Sequence, residues 1–499
     1  MGFGINSIYD HGSRRFSGPR SAARKTIALL AAASVLLTAL FTPLLISRQT
    51  EAALFGEFTI ADEAKLGREF DIMVRSRLPL VQDPEIIDYV DGMVQRLSNS
   101  MPPQPFPFQV SVIRHNAVNA FAVPGGYIFI HTGLITAMND EAEVAGVLAH
   151  EMAHVTQRHI ARRIEASQTV SLLSMVGMLA GAFLGGEAGG AAIIGTAAAG
   201  QAAMLNYSRA DESEADQVGM NFFLAAGYRP GGMMDAFKVL QRPQWHTGSE
   251  FPEYLSTHPA IANRITEISG RLRAGKNLRP DKNNPTEHEE FLRIQTLVRG
   301  RYTDFELAMP KFDELLTGKE GKTAQCLANL GMGIAYERRN QVKNAATAYG
   351  KAVSCRPDDS IVVREAGRFH FLMGDKNTAA TLLTRAIRLN PHDYMAMFHY
   401  ARLLESGGEL TKAGEYYRTV LRYVPEDAEV HSNYAMVLGK NQQLFQAHLH
   451  LAYSALYENN PRKIQPLYEK AAQLAKTEAD KADLEIFEQK FKERSAYWK

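Results

Sequence analysis

A period of 34 residues in the second half of the chain is the feature that most limits its fold. Pro357, Pro391 and Pro425 are 34 residues apart, and each is followed two places later by an aspartate. Small residues recur at fixed distances before each proline: Ala345, Ala379 and Ala413 twelve places before, and Gly333, Gly367 and Ala401 twenty-four places before. Small side chains let two helices pack closely, and a proline ends the second helix. The pattern therefore predicts stacked helical hairpins.

The repeat resembles the tetratricopeptide repeat, which has this period. A fourth unit begins in register at Ala435 and Ala447, but Pro461 comes 36 residues after Pro425. An irregular end unit is typical of a capping repeat. The resemblance implies an α-helical solenoid within residues 291–499, and its concave groove is expected to bind protein partners or substrates.

The length and composition bound the rest of the chain. With 499 residues, 45% hydrophobic and 22% charged, the chain is expected to form two or three globular domains. A formal net charge of +1, without a long arginine-rich block, gives no indication of nucleic-acid binding. Cys326 and Cys355 are the two cysteines, so a zinc site built from thiolates is excluded. Both a disulfide between them and two reduced thiols are compatible with the sequence.

The N-terminus has the pattern of an export signal. Residues 26–47 are uncharged and largely apolar, and small residues follow at Thr50 and Ala52. A basic flank precedes this run: Arg14, Arg15, Arg20, Arg24 and Lys25. Residues 1–52 are therefore predicted to be an export segment that is cleaved after Ala52, so the bulk of the chain is expected to lie outside the cytoplasm. The alternative is an uncleaved anchor, because a run of 22 residues can span a bilayer.

The first half alternates helical and strand patterns. Amphipathic helices are predicted over 61–78 and 84–101, and a strand over 108–114. The segment 116–135 reads as strand, turn and strand, with Pro124-Gly125-Gly126 at the turn. One long helix is predicted over 140–166, capped by Asn139 or Asp140.

Two other segments lack such patterns. Residues 170–205 are rich in glycine and alanine, and Glu187 is their one charged residue. We expect either mobile helices that cover a cleft or a buried hairpin there, and the dense glycine argues against a membrane span. Residues 274–290 are polar, with proline and asparagine, and are predicted to be a linker.

Residues 150–154, His-Glu-Met-Ala-His, carry the strongest chemical signal. On a helix, His150 and His154 lie one turn apart on one face, so both imidazoles can bind one zinc ion. Glu151 can then act as the general base that takes a proton from a water activated by the ion. The competing interpretation is a surface helix with scattered histidines, because this short motif also arises by chance.

A catalytic zinc site needs a third protein ligand, and residues 208–219 offer several acids. These motifs resemble peptidase family M48: His-Glu-x-x-His, a later helix with Glu-x-x-x-Asp, and residues 119–135 before both. The resemblance implies that Glu212 is the third zinc ligand. It also implies that Asp216 is a further catalytic carboxylate, which orients a ligand or handles a proton. Glu214 has no acid four places later and is expected to face solvent.

Other histidines and one strand are assigned with less support from the motifs. His258 precedes Pro259, as in the BepA-type branch of the family, and is a candidate fourth ligand that would hold the enzyme silent until its loop moves. His159 is expected to be solvated, because it lies off the stripe that carries His154. His131 and His115 are expected to be structural or solvated. Asn119 and the strand after it are predicted to present an edge to an extended peptide substrate.

Together these features predict a mostly α chain with a small β-sheet. A zincin-like metallopeptidase domain, residues 53–273, precedes the helical repeat domain. The predicted function is that of an exported zinc-dependent endopeptidase with one Zn²⁺ per chain. The resemblance to the BepA-type branch implies a periplasmic enzyme that acts in quality control or assembly of envelope proteins, with outer-membrane assembly machinery among its candidate partners. The alternatives are a chaperone or assembly scaffold that works mainly through the repeats with a silenced metal site, and a membrane-anchored protease.

Overall fold

The structure, a computed structural model, describes residues 58–166, 172–183, 207–242, 253–275, 285–318 and 321–495. The predicted export segment, residues 1–52, lies outside the described residues, as does most of the segment 170–205. Within the described ranges, none of the helices is both long and apolar enough to cross a lipid bilayer.

The first half is helical around one small sheet. Its helices are α1 (Ile60–Arg77), α2 (Pro84–Ser98), α3 (Thr132–Ala137), α4 (Glu141–Thr156), α5 (His159–Ala166), α6 (Leu172–Phe183), α7 (Arg209–Ala225), α8 (Gly232–Leu240), α9 (Glu253–Thr257) and α10 (Ile261–Ala274). Helices α1 and α2 confirm the two amphipathic patterns. Buried apolar residues of α2, including Ile86, Val90 and Leu97, pack into the main core together with the sheet and α4.

The sheet has three strands, β1 (Gln109–Ile113), β2 (Ala120–Val123) and β3 (Tyr127–His131), in the order β1-β3-β2. Strands β2 and β3 are antiparallel and joined by the predicted turn, whereas β1 and β3 are parallel. Gly125 and Gly126 have φ angles of 85° and 87°, the left-handed region that this tight turn requires. Strand β2 is at the edge of the sheet, as predicted.

The predicted long helix over 140–166 is wrong at one point: it is two helices, α4 and α5. Helix α4 ends at Thr156, and Arg158 adopts a left-handed conformation with a φ of 54°. A continuous helix cannot contain such a residue, so the chain turns before α5 starts at His159. Asp140 is the residue that caps α4, because its side chain accepts a hydrogen bond from the Glu143 amide at 3.0 Å.

The second half is a stack of helical hairpins, which confirms the repeat prediction. Its helices are α11 (Pro285–Tyr302), α12 (Phe305–Thr317), α13 (Lys322–Arg338), α14 (Val342–Cys355), α15 (Ser360–Leu372), α16 (Lys376–Leu389), α17 (Tyr394–Ser406), α18 (Leu410–Tyr423), α19 (Ala428–Lys440), α20 (Leu444–Tyr457), α21 (Pro461–Leu474) and α22 (Glu478–Ser495). Helices α14, α16 and α18 each end two residues before a periodic proline. The close approach is visible at Gly333, where an added Cβ would lie 3.0 Å from the Tyr349 ring.

The two cysteines form a disulfide, which settles the choice that the sequence left open. Cys326 of α13 and Cys355 at the end of α14 are bonded, with their Cα atoms 5.7 Å apart. The bond therefore joins the two helices of the first periodic hairpin.

Residues 60–499 form one compact unit, and the two halves share part of their core. Helix α11 begins at Pro285, so the end of the predicted linker 274–290 is helical. The Gln295 amide of α11 donates to the main-chain oxygens of Ile135 at 3.0 Å and Met138 at 2.7 Å. The repeat stack is thus packed directly onto the first half.

Candidate metal centre

The histidine-bearing helix α4 and the acidic helix α7 pack very closely because a glycine stands between them. An added Cβ at Gly219 would lie 2.8 Å from the Ala149 main-chain oxygen. A larger residue would therefore push the two helices apart. Ser208 and Asp211 form a capping box that fixes where α7 begins, so Glu212 lies in its first turn.

Four side chains converge at this contact. His150, His154, Glu212 and His258 each offer one donor atom, and these atoms all lie within 4.8 Å of one another. The Nε2 atoms of His150 and His154 are 3.0 Å apart, and the His154 Nε2 is 3.4 Å from a Glu212 oxygen. His258 Nδ1 lies 3.0 Å from the same Glu212 oxygen. We call these four residues the donor cluster.

The chemistry of the donor cluster fits a divalent transition metal. Three imidazoles and one carboxylate, all buried, are a typical ligand set for such an ion. Among the described residues, His258 Nε2 is buried without a hydrogen-bond partner. Buried polar atoms are normally paired, so this ring nitrogen indicates a site prepared for a ligand. Burial lowers the pKa of His154 well below its ordinary value, which keeps that ring in the neutral form that binds metals.

Glu151 lies beside the donor cluster and is fully buried. Neither of its carboxylate oxygens has a hydrogen-bond partner, and one lies 3.5 Å from His258 Nε2. Burial raises the pKa of Glu151 to about 7, although the nearby His258 opposes that change. A carboxylate with a pKa near neutrality can both accept and release a proton.

Asp216 contacts His150 on the side away from the cluster. Its oxygen lies 2.9 Å from His150 Nδ1, which therefore donates to it and leaves Nε2 facing the other donors. Burial alone would raise the pKa of Asp216, but hydrogen bonds from Arg264 and His150 lower it to about 2. This arrangement of carboxylate, histidine and metal donor is common in metal sites, where it orients the ring.

Arg264 was missed in the sequence analysis. It is 3% exposed, donates from Nε and Nη2 to Asp216 at 2.8 Å each, and also forms an ion pair with Glu212. The available signal was position, because Arg264 follows His258 by six residues in the same short segment. Its charge offsets that of two buried carboxylates.

His159 is buried, so the prediction that it is solvated is wrong. It is 1% exposed, and its Nδ1 lies 2.7 Å from His154 Nδ1. The turn at Arg158 explains the error, since a continuous helix would have carried His159 away from His154. The predicted solvent-facing Glu214 is half-exposed, and its oxygen lies 3.1 Å from His159 Nε2.

Two tyrosines close the site. The ring of Tyr207 stacks on His154 with centroids 3.7 Å apart, and Tyr254 stacks on His258 at 4.3 Å. Both tyrosines are buried. The donor cluster is consequently shielded from solvent on the sides where these rings lie.

The remaining predicted residues lie outside the cluster. His131 is buried at the end of β3 and His115 is exposed, in agreement with structural and solvated roles. The main-chain oxygen of Asn119 accepts from the His131 amide at 3.0 Å. On edge strand β2, Phe121 stacks at 5.0 Å on Phe183, which belongs to the described part of the segment 170–205.

Comparison with known proteins agrees with this architecture. Residues 81–272 match the model "Peptidase family M48", and residues 364–428 match a tetratricopeptide repeat model. The beta-barrel assembly-enhancing protease of Escherichia coli is 27% identical over 339 residues, which are 67% of this chain and 68% of that protein. A Vibrio cholerae relative is 32% identical over 304 residues, 60% of this chain and 62% of that relative, which is less than two thirds of its length.

A further match covers a shorter stretch of the chain. The mitochondrial metalloendopeptidase OMA1 of Schizosaccharomyces pombe is 28% identical over 180 residues, 36% of this chain and 51% of that protein. A peptidase family M48 model thus matches residues 81–272 and a tetratricopeptide repeat model matches residues 364–428, so the chain resembles a metallopeptidase joined to helical repeats.

Proposed function

We propose that the chain is an exported zinc-dependent endopeptidase that acts in quality control or assembly of envelope proteins. The observation that carries the proposal is the convergence of His150, His154 and Glu212 beside the unpaired carboxylate of Glu151. Zinc is the proposed metal because this set of imidazole and carboxylate ligands suits it. The periplasmic location rests on the sequence pattern of residues 1–52 and on the named relatives.

Each residue around the cluster has a distinct role in the proposed reaction. Zinc held by His150, His154 and Glu212 would act as a Lewis acid toward a water molecule and the peptide carbonyl. Glu151 takes the proton of the attacking water and later delivers it to the leaving amine, a task that suits its raised pKa. Asp216 holds the ring of His150, and Arg264 holds Asp216.

His258 supports a silenced resting state. Its ring lies among the three proposed ligands, where it would occupy the position that a substrate or water needs. Helix α9, which leads to His258, is short, so a movement of this segment would open the site. We propose that cleavage requires His258 to leave the cluster.

The closed cluster also favours the alternative function, in which the repeats act as a chaperone or assembly scaffold. In that case the concave groove of α13–α20 binds partner proteins, with envelope assembly machinery as the proposed class. Tetratricopeptide stacks commonly bind protein segments in this way. The two functions are separated by removing the general base without disturbing the metal.

The decisive experiment measures zinc content and casein cleavage for the wild type and Glu151→Gln. We expect one zinc ion per chain in both proteins and about 1000-fold slower cleavage by Glu151→Gln, because the general base is lost. Glu485→Gln, at an exposed position of α22, is the matched control and should cleave like the wild type. Equal cleavage by Glu151→Gln and the wild type would refute the proposed chemistry.

A second variant tests the silencing role. His258→Ala should retain zinc, because three ligands remain, and should cleave casein faster than the wild type. Slower cleavage by His258→Ala would assign this residue to catalysis instead.

A further inference from the structure

A chain of three side chains runs from the donor cluster toward solvent: His154, His159 and Glu214. The ring nitrogens Nδ1 of His154 and His159 are 2.7 Å apart, and His159 Nε2 lies 3.1 Å from a Glu214 oxygen. We propose that His159 is a positioning residue that holds His154 with Nε2 toward the metal, and that Glu214 fixes His159 in turn. The inference rests on the proposed function, in which His154 is a zinc ligand.

The direction of the hydrogen bonds follows from the outer end. An ionised carboxylate can only accept, so His159 Nε2 carries the hydrogen that is donated to Glu214. In a neutral ring His159 Nδ1 is then the acceptor, and the hydrogen of the 2.7 Å bond belongs to His154 Nδ1. His154 Nε2 is left with its lone pair, and it is the atom that lies 3.0 Å from His150 Nε2 in the donor cluster.

Three acidic residues of helix α7 interact, directly or through His159, with the two histidines of α4. Glu212 belongs to the donor cluster, Asp216 accepts directly from His150 Nδ1, and Glu214 reaches His154 through His159. Residues 212 and 216 share a face of α7, whereas residue 214 lies on another side. The His159 ring bridges the distance between Glu214 and His154. His150 and His154 therefore both direct Nε2 toward the proposed metal.

The backbone is shaped to deliver His159 to this position. Arg158 adopts the left-handed conformation, with a φ of 54°, which residues with a side chain rarely adopt. Its guanidinium is held by Glu63 of α1 and by Glu165 of α5. The turn places His159 at the start of α5, in contact with His154 of the donor cluster. In a continuous helix His159 would point away from His154.

The test compares His159→Phe with His131→Phe in the full-length protein. Both histidines are buried, at 1% and 3% exposure, but only His159 contacts a member of the donor cluster. The zinc dissociation constant is measured by competition with a chromophoric chelator. We expect a rise of about 10- to 100-fold for His159→Phe, typical of losing such an orienting partner, and no change for His131→Phe. The visible spectrum of the cobalt-loaded protein should change only in His159→Phe.

Two smaller substitutions resolve which nitrogen matters. In His159→Asn the amide oxygen replaces Nδ1 as acceptor for His154, so most of the zinc affinity should be recovered. In His159→Gln the amide nitrogen reaches toward Glu214 but the contact with His154 is lost, so the affinity should stay low. Glu214→Gln keeps a weaker acceptor for His159 and should cause a smaller loss than His159→Phe.

The outcomes separate this inference from the proposed function. Wild-type zinc affinity in His159→Phe, or an equal loss in His131→Phe, would overturn the positioning role while leaving the proposed function intact. If the wild type and His258→Ala both bind zinc but neither cleaves casein, the proposed function alone is refuted. A wild-type protein that takes up no zinc would refute both.

Discussion

Two of the buried charge clusters in the described residues are built differently. Beside the donor cluster, the Glu151 carboxylate has no hydrogen-bond partner and no arginine in ion-pair contact among these residues. The second cluster, here called the repeat ion network, joins the repeats to α2 and consists of Asp83, Glu85, Arg301, Arg364, Glu365 and Asp393. In this network each carboxylate faces at least one guanidinium.

Arg364 shows how complete this pairing is. Its side chain is fully buried, and its guanidinium contacts Glu365 at 3.0 Å, Asp393 at 3.2 Å and Glu85 of the peptidase half. Burial and a shifted pKa are therefore shared by both clusters, since the pKa of Glu365 is also displaced, downward, by three arginines that overcome the effect of burial. What distinguishes Glu151 is that no arginine of the described residues pairs with its carboxylate, whereas each carboxylate of the repeat ion network has such a partner.

Removing Arg364 should break the repeat ion network with the largest effect on stability. Arg364→Ala leaves Glu365, Asp393 and Glu85 without a main counter-charge, and losing one partner of a buried ion pair costs about 3–5 kcal/mol. The free energy of unfolding is measured by urea titration in the presence of a metal chelator.

Glu151→Gln is the matched comparison for this prediction. Its carboxylate has no partner to lose, so metal-free Glu151→Gln should unfold within about 1 kcal/mol of the wild type. If both variants lost equal stability, the distinction between the two clusters would not hold.

The disulfide gives the repeats a covalent constraint that the peptidase half lacks, since the chain has no other cysteine. Cys326 and Cys355 are separated by 29 residues, and closing a loop of this length stabilises the folded state by about 3–4 kcal/mol in the chain-entropy model. Reduction with a phosphine should lower the free energy of unfolding by about this amount, while the zinc content stays unchanged.

The double variant Cys326→Ala/Cys355→Ala is the control for the reductant. It should unfold at the same urea concentration with and without phosphine. Equal stability of the oxidised and reduced wild type would show that the bond adds nothing to the fold.

The sequence predicted the features that depend on regular spacing. The period of the prolines located the ends of α14, α16 and α18, because a proline lacks the N–H that would continue the helical hydrogen bonds. The spacing of His150 and His154 and the family motif around Glu212 were likewise readable, and the structure brings these three residues together. Their assignment as zinc ligands is a proposal that the experiments above test.

The sequence did not predict the surroundings of residues whose position depends on a backbone turn or on tertiary contacts. Periodicity assumes a continuous helix, so the left-handed residue Arg158 was invisible and His159 was placed in solvent. Arg264 has no motif of its own and matters because folding brings it to Asp216 and Glu212. The linker boundary failed for a similar reason, since the polar residues after Pro285 form a helix that packs on the first half.

A second pair of hydrogen-bonded histidines, in the repeats, can be compared with the pair His154 and His159. His431 and His450 of the repeats have their Nδ1 atoms 2.8 Å apart, like His154 and His159, but the outer partner of His431 is the main-chain oxygen of Pro425 rather than a carboxylate. Burial lowers the pKa of His431 to about 4 and that of His450 to about 3. The unfolded chain takes up protons below a pH of about 6.5, whereas the folded pair does not, so acid favours unfolding.

The contribution of this pair to the free energy of unfolding should therefore be constant above pH 7 and fall as the pH drops from about 6.5 toward 4. The loss at pH 5.5 should be about 1 kcal/mol for each histidine. Urea unfolding of the metal-free protein at pH 7.5 and 5.5 measures this loss. The double variant His431→Phe/His450→Phe isolates the pair from other buried histidines, and its loss over the same interval should be smaller by about 2 kcal/mol. An identical pH dependence in the variant would mean that the pair takes up protons at the same pH in the folded protein as in the unfolded chain. A ring-to-ring hydrogen bond would then not by itself keep two histidines neutral, and the hydrogen-bond direction inferred for His154 would depend on Glu214 alone.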